Sequence, residues 1–336
     1  MLGAARLLDA DLTREAMASI LVEDGLTTSA IEGERLDPAS VRSSVARRLG
    51  LPTAGLPVPP RAVDGLIDVL LDATQQHGLA LTRERLCGWH AALFPTGYSG
   101  LYKIGAGELR GEAPMQVVSG ATNKERVHFI APPRERLDAE LDRCLTWINE
   151  PRAPIDGLIR AGVAHLWFIT LHPFEDGNGR LARAITDMML CRDEGQPMRL
   201  FSLSAQILRR RQGYYRILER TQRGGLDVTD WLAWHLEQVE AAAASAQQTV
   251  ANTLAKVRFW LRHQATVLND RQRKVLNRLL DTGPGGFEGG INTRKYVGLT
   301  KISRATAYRE LADLVAKGCL RPTVKGGRSS GYEIEW

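Results

Sequence analysis

The sequence predicts a mainly α fold, in which a helical core carries one β-hairpin and is followed by a smaller C-terminal domain. Three observations predict it. Long segments place apolar residues at helical spacing, as in Gly157 to Leu171, where Leu158, Ile159, Val163, Leu166, Trp167 and Ile169 suit a helix buried on most sides. One pair of runs, Pro114 to Gly120 and Arg126 to Ile130, is instead short and rich in β-branched and aromatic residues, which reads as a hairpin. From Leu268 onward the character changes, with thirteen Lys and Arg against seven Asp and Glu, an excess of six that equals the +6 of the whole chain.

The elements follow in order. Residues 1–60 read as an N-terminal helical region. Within it Thr28 and Glu32 lie one turn apart on the same side, and Gly33 is placed to end the helix. The Pro-rich segment Leu51 to Pro60 is a turn or linker. Residues 61–240 make up the core, where Pro173 stops the helix ending at Leu171 and leaves His172 at its end. A further helix is expected from Arg180 to Asp193, with positions 180, 183 and 187 on a narrow polar stripe and Leu181, Ala184, Ile185, Met188 and Met189 around the rest. Asp227 to Ala265 reads as helices, and residues 241–267, opening on an alanine-rich stretch, serve as a helical connector. Within residues 268–336, Asp270 to Asp281 and Ser303 to Lys317 are amphipathic helices and Asn292 to Val297 is a shorter one. Leu320 to Ile334 then holds two short strands.

The chemistry concentrates in His172-Pro-Phe-Glu-Asp-Gly-Asn-Gly-Arg-Leu-Ala-Arg183. Gly177, Asn178 and Gly179 can adopt the positive φ values that turn successive backbone N–H groups inward as an anion nest. The following helix adds free N–H groups and the positive end of its dipole to the same point. Arg180 and Arg183 point together toward whatever the nest holds. With the acidic Asp176 added, the arrangement suits a polyphosphate with a bound divalent ion. His172, an imidazole with an ordinary pKa of about 6.5, can accept a proton from an attacking hydroxyl.

This stretch resembles the signature of Fic-domain proteins, most of which transfer AMP from ATP to a hydroxyl side chain of a target protein. The resemblance implies a Fic-type helical core, with His172 as general base and Asp176 as the Mg2+ ligand. It also implies Gly177, Asn178 and Gly179 around the α- and β-phosphates, Arg180 aiding them and Arg183 on the γ-phosphate. Relatives called Doc, which transfer a phosphoryl group, carry lysine at the position of Gly179, so the match favours adenylyl transfer.

Thr28-Ser-Ala-Ile-Glu32-Gly33 resembles the inhibitory motif of Fic proteins that carry their brake upstream of the core. There the glutamate pairs with the second signature arginine, here Arg183, takes the place of the γ-phosphate and skews ATP away from in-line attack. Some relatives also remove AMP with that glutamate positioning water. The hairpin resembles the flap that aligns a target segment by strand addition, which implicates Val118, Ser119, Gly120, Val127 and His128. Gln212-Gly-Tyr214-Tyr215-Arg-Ile-Leu-Glu-Arg-Thr-Gln222 resembles the segment lining the nucleotide pocket, with Tyr214 expected at adenine or ribose and Tyr215 and Gln222 near it.

The C-terminal pattern resembles a winged helix-turn-helix. Ser303 is expected to cap its recognition helix, Arg304, Thr306 and Arg309 to face a groove, and Lys325 and Arg328 in the wing to lie near phosphates. A second functional class therefore stays open: a DNA-binding transcriptional regulator whose core senses nucleotide. At 336 residues and 44% hydrophobic, the chain is long enough for two or three packed units. No run approaches the roughly 18 apolar residues of a membrane span, and the N-terminus lacks a basic-plus-apolar signal region. The four cysteines are scattered without Cys-x-x-Cys spacing, so free thiols and a cytoplasmic setting are expected, without a zinc site or disulfide framework. Relatives are often dimers, which makes a homodimer a further expectation.

Overall fold

The computed structural model describes residues 10–51, 53, 55–119, 126–150, 155–197, 201–280, 282–283, 287, 289–323 and 331–336. The chain is mainly helical, as its periodicity predicts, and divides into two compact units, Met1–Ser245 and Ala246–Trp336.

In the first unit α1 (Ala10–Ile31), α2 (Pro38–Arg48), α3 (Arg61–Gln75) and α4 (Arg83–Leu93) precede a minimal hairpin of β1 (Tyr98–Ser99) and β2 (Tyr102–Lys103). The longer hairpin is β3 (Gln116–Ser119) with β4 (Arg126–Ile130). It is antiparallel, with Val117 opposite Phe129 and Val118 opposite Val127, so the register shifts by one residue in a bulge at His128. Then come α5 (Arg134–Asn149), α6 (Gly157–Leu171), α7 (Asn178–Glu194), α8 (Leu203–Arg209), α9 (Arg211–Gln222) and the start of α10 (Thr229–Arg262), whose residues after Ser245 belong to the second unit. One continuous helix thus covers the stretch expected as several.

The α6–α7 pair forms the centre of this unit. Every residue of α7 from Leu181 to Cys191 is buried, which corrects the expectation of a polar stripe. The reason is enclosure: α6, α3 and α1 all pack on α7, so Arg183, Thr186 and Asp187 are taken inside with the apolar residues.

A buried polar chain fixes part of this packing. Thr186 Oγ1 donates to the carbonyl of Ala182 at 2.8 Å, so its lone pair accepts from His165 Nδ1–H, also at 2.8 Å. His165 Nε2 is left bare to accept the Tyr214 hydroxyl at 2.8 Å. Burial pushes the His165 pKa well below its ordinary value, which keeps the ring neutral in this chain of bonds.

In the second unit α11 (Asp270–Leu280), α12 (Thr293–Thr300) and α13 (Arg304–Ala316) pack with β5 (Leu320–Pro322) and β6 (Tyr332–Ile334). Phe259, Val275, Leu276, Tyr296, Leu311 and Leu314 belong to their common core. Ser303 caps α13, its hydroxyl accepting from Thr306 N–H at 3.2 Å. No helix among the described residues is long and apolar enough to cross a membrane.

Candidate functional site

The site is built where α6 gives way to α7. Pro173 cannot continue the helix, and His172 closes it in the left-handed conformation at φ 49°, ψ 58°. Asn178 then ties the turn, its side-chain oxygen accepting from Phe174 N–H at 3.0 Å and its amide donating to Phe174 C=O at 2.8 Å. Expected among the phosphate ligands, the Asn178 side chain is therefore committed to shaping the loop. Its backbone opens α7, which starts two residues before the expected Arg180, so of the three residues expected to form a positive-φ nest only Gly177 has positive φ, and Asn178 and Gly179 form the first turn of the helix instead. Gly177, at φ 77°, precedes it with no side-chain cap, so the first N–H groups of α7 open onto the site.

His172 lines a cavity of about 810 Å3 together with Glu32, Asp176, Asn178, Gly179, Tyr215 and Gln222. Its Nδ1 lies 3.1 Å from the carbonyl of Ile169. A carbonyl only accepts, so Nδ1 carries the proton and Nε2 is bare in the neutral ring. Burial holds the His172 pKa below its ordinary value, so the neutral ring prevails at pH 7.

Asp176 Oδ1 accepts from Gly177 N–H at 2.5 Å, and Oδ2 accepts from the Ser99 hydroxyl. No group of three or more His, Cys, Asp or Glu that could hold a metal ion occurs among the described residues. A single carboxylate at the loop before α7 nevertheless fits Mg2+ brought by a polyphosphate, because that ion keeps water and phosphate oxygens rather than an all-protein cage.

The two arginines do not line the cavity. Arg183 is only 2% exposed. Its Nε donates to Thr28 Oγ1 at 2.7 Å, and its Nη2 donates to Thr28 C=O at 2.9 Å and to Glu32 Oε1 at 2.7 Å. Its Nη1 is buried with no hydrogen-bond partner. Arg180 sits over the Phe94 ring at 4.9 Å and reaches Glu34 Oε2 at 3.3 Å, with its Nε likewise buried and unpartnered.

The Glu32 carboxylate lies directly over the start of α7. A Cβ added to Gly179 would come within 2.1 Å of Glu32 Oε1, so glycine is what lets the carboxylate settle there. Gly33, at φ 88°, ends α1 and turns the chain after Glu32. Arg211 Nε at 2.6 Å and the Tyr215 hydroxyl at 3.0 Å both donate to the Ile31 carbonyl, which anchors the end of α1 to α9.

The expected aromatic contacts divide. Tyr214 is 1% exposed and gives its hydroxyl to His165, so it serves the core first. Tyr215 reaches the cavity more openly, and Gln222 Nε2 donates to Thr170 Oγ1 at 3.2 Å. In the hairpin Val118 and His128 line the cavity, whereas Val117 and Phe129 do so in place of Val127. Ser119 ends β3, and Gly120 lies outside the described residues. His128 Nδ1 meets Glu219 Oε2 at 2.7 Å, and Arg223 donates to the carbonyls of Val127 and His128 at 2.7 and 2.8 Å. In this way α9 holds β4.

Three groups that the sequence did not single out support the loop. His90 is wholly buried and stacked on Phe174. It accepts Gly107 N–H through Nδ1 at 2.9 Å and meets the Asp176 carbonyl through Nε2 at 3.2 Å. Burial lowers its pKa to about 4. Ser99 and Arg110 are the others, Arg110 donating to His172 C=O at 2.9 Å.

In the second unit Arg304 and Arg309 are exposed on α13, while Thr306 is half-buried with its hydroxyl 2.9 Å from that of Ser303. Thr306 thus belongs to the helix cap rather than to an open face. Lys325 and Arg328 lie outside the described residues.

Comparison with known proteins bears on the fold. Residues 80–190 match the Fic/DOC family, and residues 1–51 match a domain of unknown function, DUF4172. The chain is similar to protein adenylyltransferase fic-1 of Caenorhabditis elegans, 35% identical over 65 residues, which are 19% of this chain and 13% of that protein. It is similar also to the Caenorhabditis briggsae protein of the same name, 34% identical over 70 residues, 20% of this chain and 13% of that protein. The matched segments thus span only a small part of these curated relatives.

Among solved structures, a Fic family protein from Desulfovibrio desulfuricans G20 aligns over 99% of this chain and 90% of its own, at 19% identity and TM-score 0.53. A Fic domain containing signaling protein from Bacteroides thetaiotaomicron aligns over 75% and 91%, at 19% identity and TM-score 0.54. At such identities the likeness concerns the fold. The family match, residues 80–190, includes the α6–α7 loop that carries the site.

Proposed function

We propose that this protein is an adenylyltransferase that moves AMP from ATP to a hydroxyl side chain of a target protein, itself included, and that Glu32 restrains it. The observation that carries the reading is the Glu32 carboxylate, 2.7 Å from the buried Arg183 and over Gly179 at the start of α7. It occupies with its own negative charge a place built for an anion.

When Glu32 withdraws, Arg183 is free to take the γ-phosphate, and the N–H groups of residues 177–179 take the α- and β-phosphates. Arg180 adds charge at the same loop. Asp176 would hold Mg2+, which supplies charge neutralisation on the phosphates. His172 Nε2 accepts the proton of the target hydroxyl. The hydroxyl oxygen forms a bond to the α-phosphorus, and the α–β bridging P–O bond breaks to release pyrophosphate. The β3–β4 hairpin presents the target segment, and Tyr215 and Gln222 border the nucleoside. The same Glu32 could position water for the removal of AMP.

The test is incorporation of label. Glu32→Gly should take label from α-labelled ATP into itself or lysate proteins, a further His172→Ala should abolish it, and γ-labelled ATP should give none. Label from the γ position would replace this reading with phosphoryl transfer.

One observation favours a second reading, a DNA-binding regulator. The acids of α13 are both engaged: the buried Glu310 bonds Arg271 at 2.5 Å and the Tyr296 hydroxyl at 2.6 Å, and the partly exposed Asp313 bonds Gln272 at 2.7 Å and pairs with Lys317. Arg304, Tyr308 and Arg309 remain exposed, a face suited to a winged helix on duplex DNA. A salt-dependent shift of duplex DNA by the full chain supports it.

A further inference from the structure

His172 is one of two non-glycine residues with positive φ among the described residues, and such a backbone persists only where its surroundings hold it. The flip directs two consecutive carbonyls, those of His172 and Pro173, away from α6. One residue receives both. Arg110 N–H donates to Pro173 C=O at 2.9 Å, and Arg110 Nε donates to His172 C=O at 2.9 Å. Its Nη2 donates to Pro132 C=O at 2.5 Å, just beyond the end of β4. Arg110 is 2% exposed, so its guanidinium is held by fixed carbonyls rather than by water.

We propose that Arg110 is a positioning residue for the reaction: it fixes the left-handed backbone from which the His172 ring reaches the substrate, and it locks that backbone to the root of the hairpin that presents the target. The base and the target strand are thereby held in register by one planar fork. Arg110 touches neither nucleotide nor target in this scheme. The phosphate cradle of residues 177–179 is tied separately, by Asn178 and by Asp176. Losing the fork therefore disturbs proton transfer and leaves ATP binding in place. The charged groups that act on the His172 ring are Glu32 of α1, Arg110 itself and Asp176.

The inference rests on the adenylyl-transfer reading, and its test has one arm that does not. Arg110→Lys keeps the charge and loses the fork; Arg110→Met loses both. In the Glu32→Gly background both variants should lower kcat at least about tenfold, the loss expected for a misplaced general base, with KM for ATP changed less than about twofold. Thermal melting and nucleotide binding report whether each variant folds. The independent arm is the histidine 15N spectrum of the full chain. The parent should show His172 as a single Nδ1–H tautomer at neutral pH, and both variants should show it shifted or exchanging. An unchanged kcat with an unchanged His172 signal overturns the proposal, as does a rise in KM for ATP that matches the fall in kcat/KM. If Glu32→Gly transfers no AMP at all, the functional reading falls, and the spectrum alone decides the role of Arg110.

Discussion

Glycine at position 32 should make the protein less stable and more responsive to ATP. The substitution removes one of the three hydrogen bonds found for Arg183, the other two going to Thr28. A hydrogen bond to a charged group contributes about 1.5–3 kcal/mol, and the Glu32 side chain is 32% exposed, so the lower end applies: about 1–2 kcal/mol. For a unit of this size that corresponds to a fall in Tm of about 2–8 °C. ATP at about 100 times its Kd returns about 2.7 kcal/mol to a free site. In the parent the γ-phosphate must first displace Glu32, which reduces that return by the energy of the pair. Differential scanning fluorimetry with and without ATP and Mg2+ reads both quantities. Equal melting temperatures for the two proteins, or equal shifts on adding ATP, would refute the reasoning that the carboxylate and the nucleotide compete for Arg183.

Three further outcomes follow from the same contacts. His90 has its folded-state pKa lowered to about 4, so the unfolded chain takes up its proton first on acidification. Its contribution is fully present above about pH 6.5 and is lost toward pH 4, at most about 3 kcal/mol, which urea melts at pH 7 and pH 5 should register as a lower midpoint at pH 5. Ser99→Ala frees Asp176 Oδ2 and should raise the Mg2+ concentration needed for half-maximal transfer several-fold in the Glu32→Gly background, with no change in melting beyond about 1 kcal/mol. Glu34→Ala removes the carboxylate beside Arg180; because Glu34 is itself exposed and the pair is long at 3.3 Å, it should change Tm by no more than a degree or two, yet raise ATP affinity by about twofold in calorimetry.

What the sequence discloses is local. The α6–α7 loop was legible because Pro173, the two glycines and the two arginines act through backbone geometry over a few residues, and Thr28 and Glu32 because one helical turn places them together. The helical character was legible from periodicity, although the burial of α7 on all sides was not, since it depends on what packs around it. His90, Ser99 and Arg110 escaped notice for a different reason. Their partners in the α6–α7 loop lie 62 to 86 positions away, and none has a neighbour in the chain that hints at them. The commitment of the Tyr214 hydroxyl to His165 was hidden in the same way, across 49 positions. The hairpin was visible as two β-rich runs, but its bulge at His128 and its attachment to α9 through Glu219 and Arg223 required the fold.

The most direct measurement is intact-protein and peptide mass spectrometry of the Glu32→Gly protein after incubation with ATP and Mg2+. The account predicts an adenylyl increment on a serine, threonine or tyrosine of the protein or of an added cell lysate, absent when His172 is also alanine. A phosphoryl increment, or an adenylyl increment that survives the loss of His172, would contradict it.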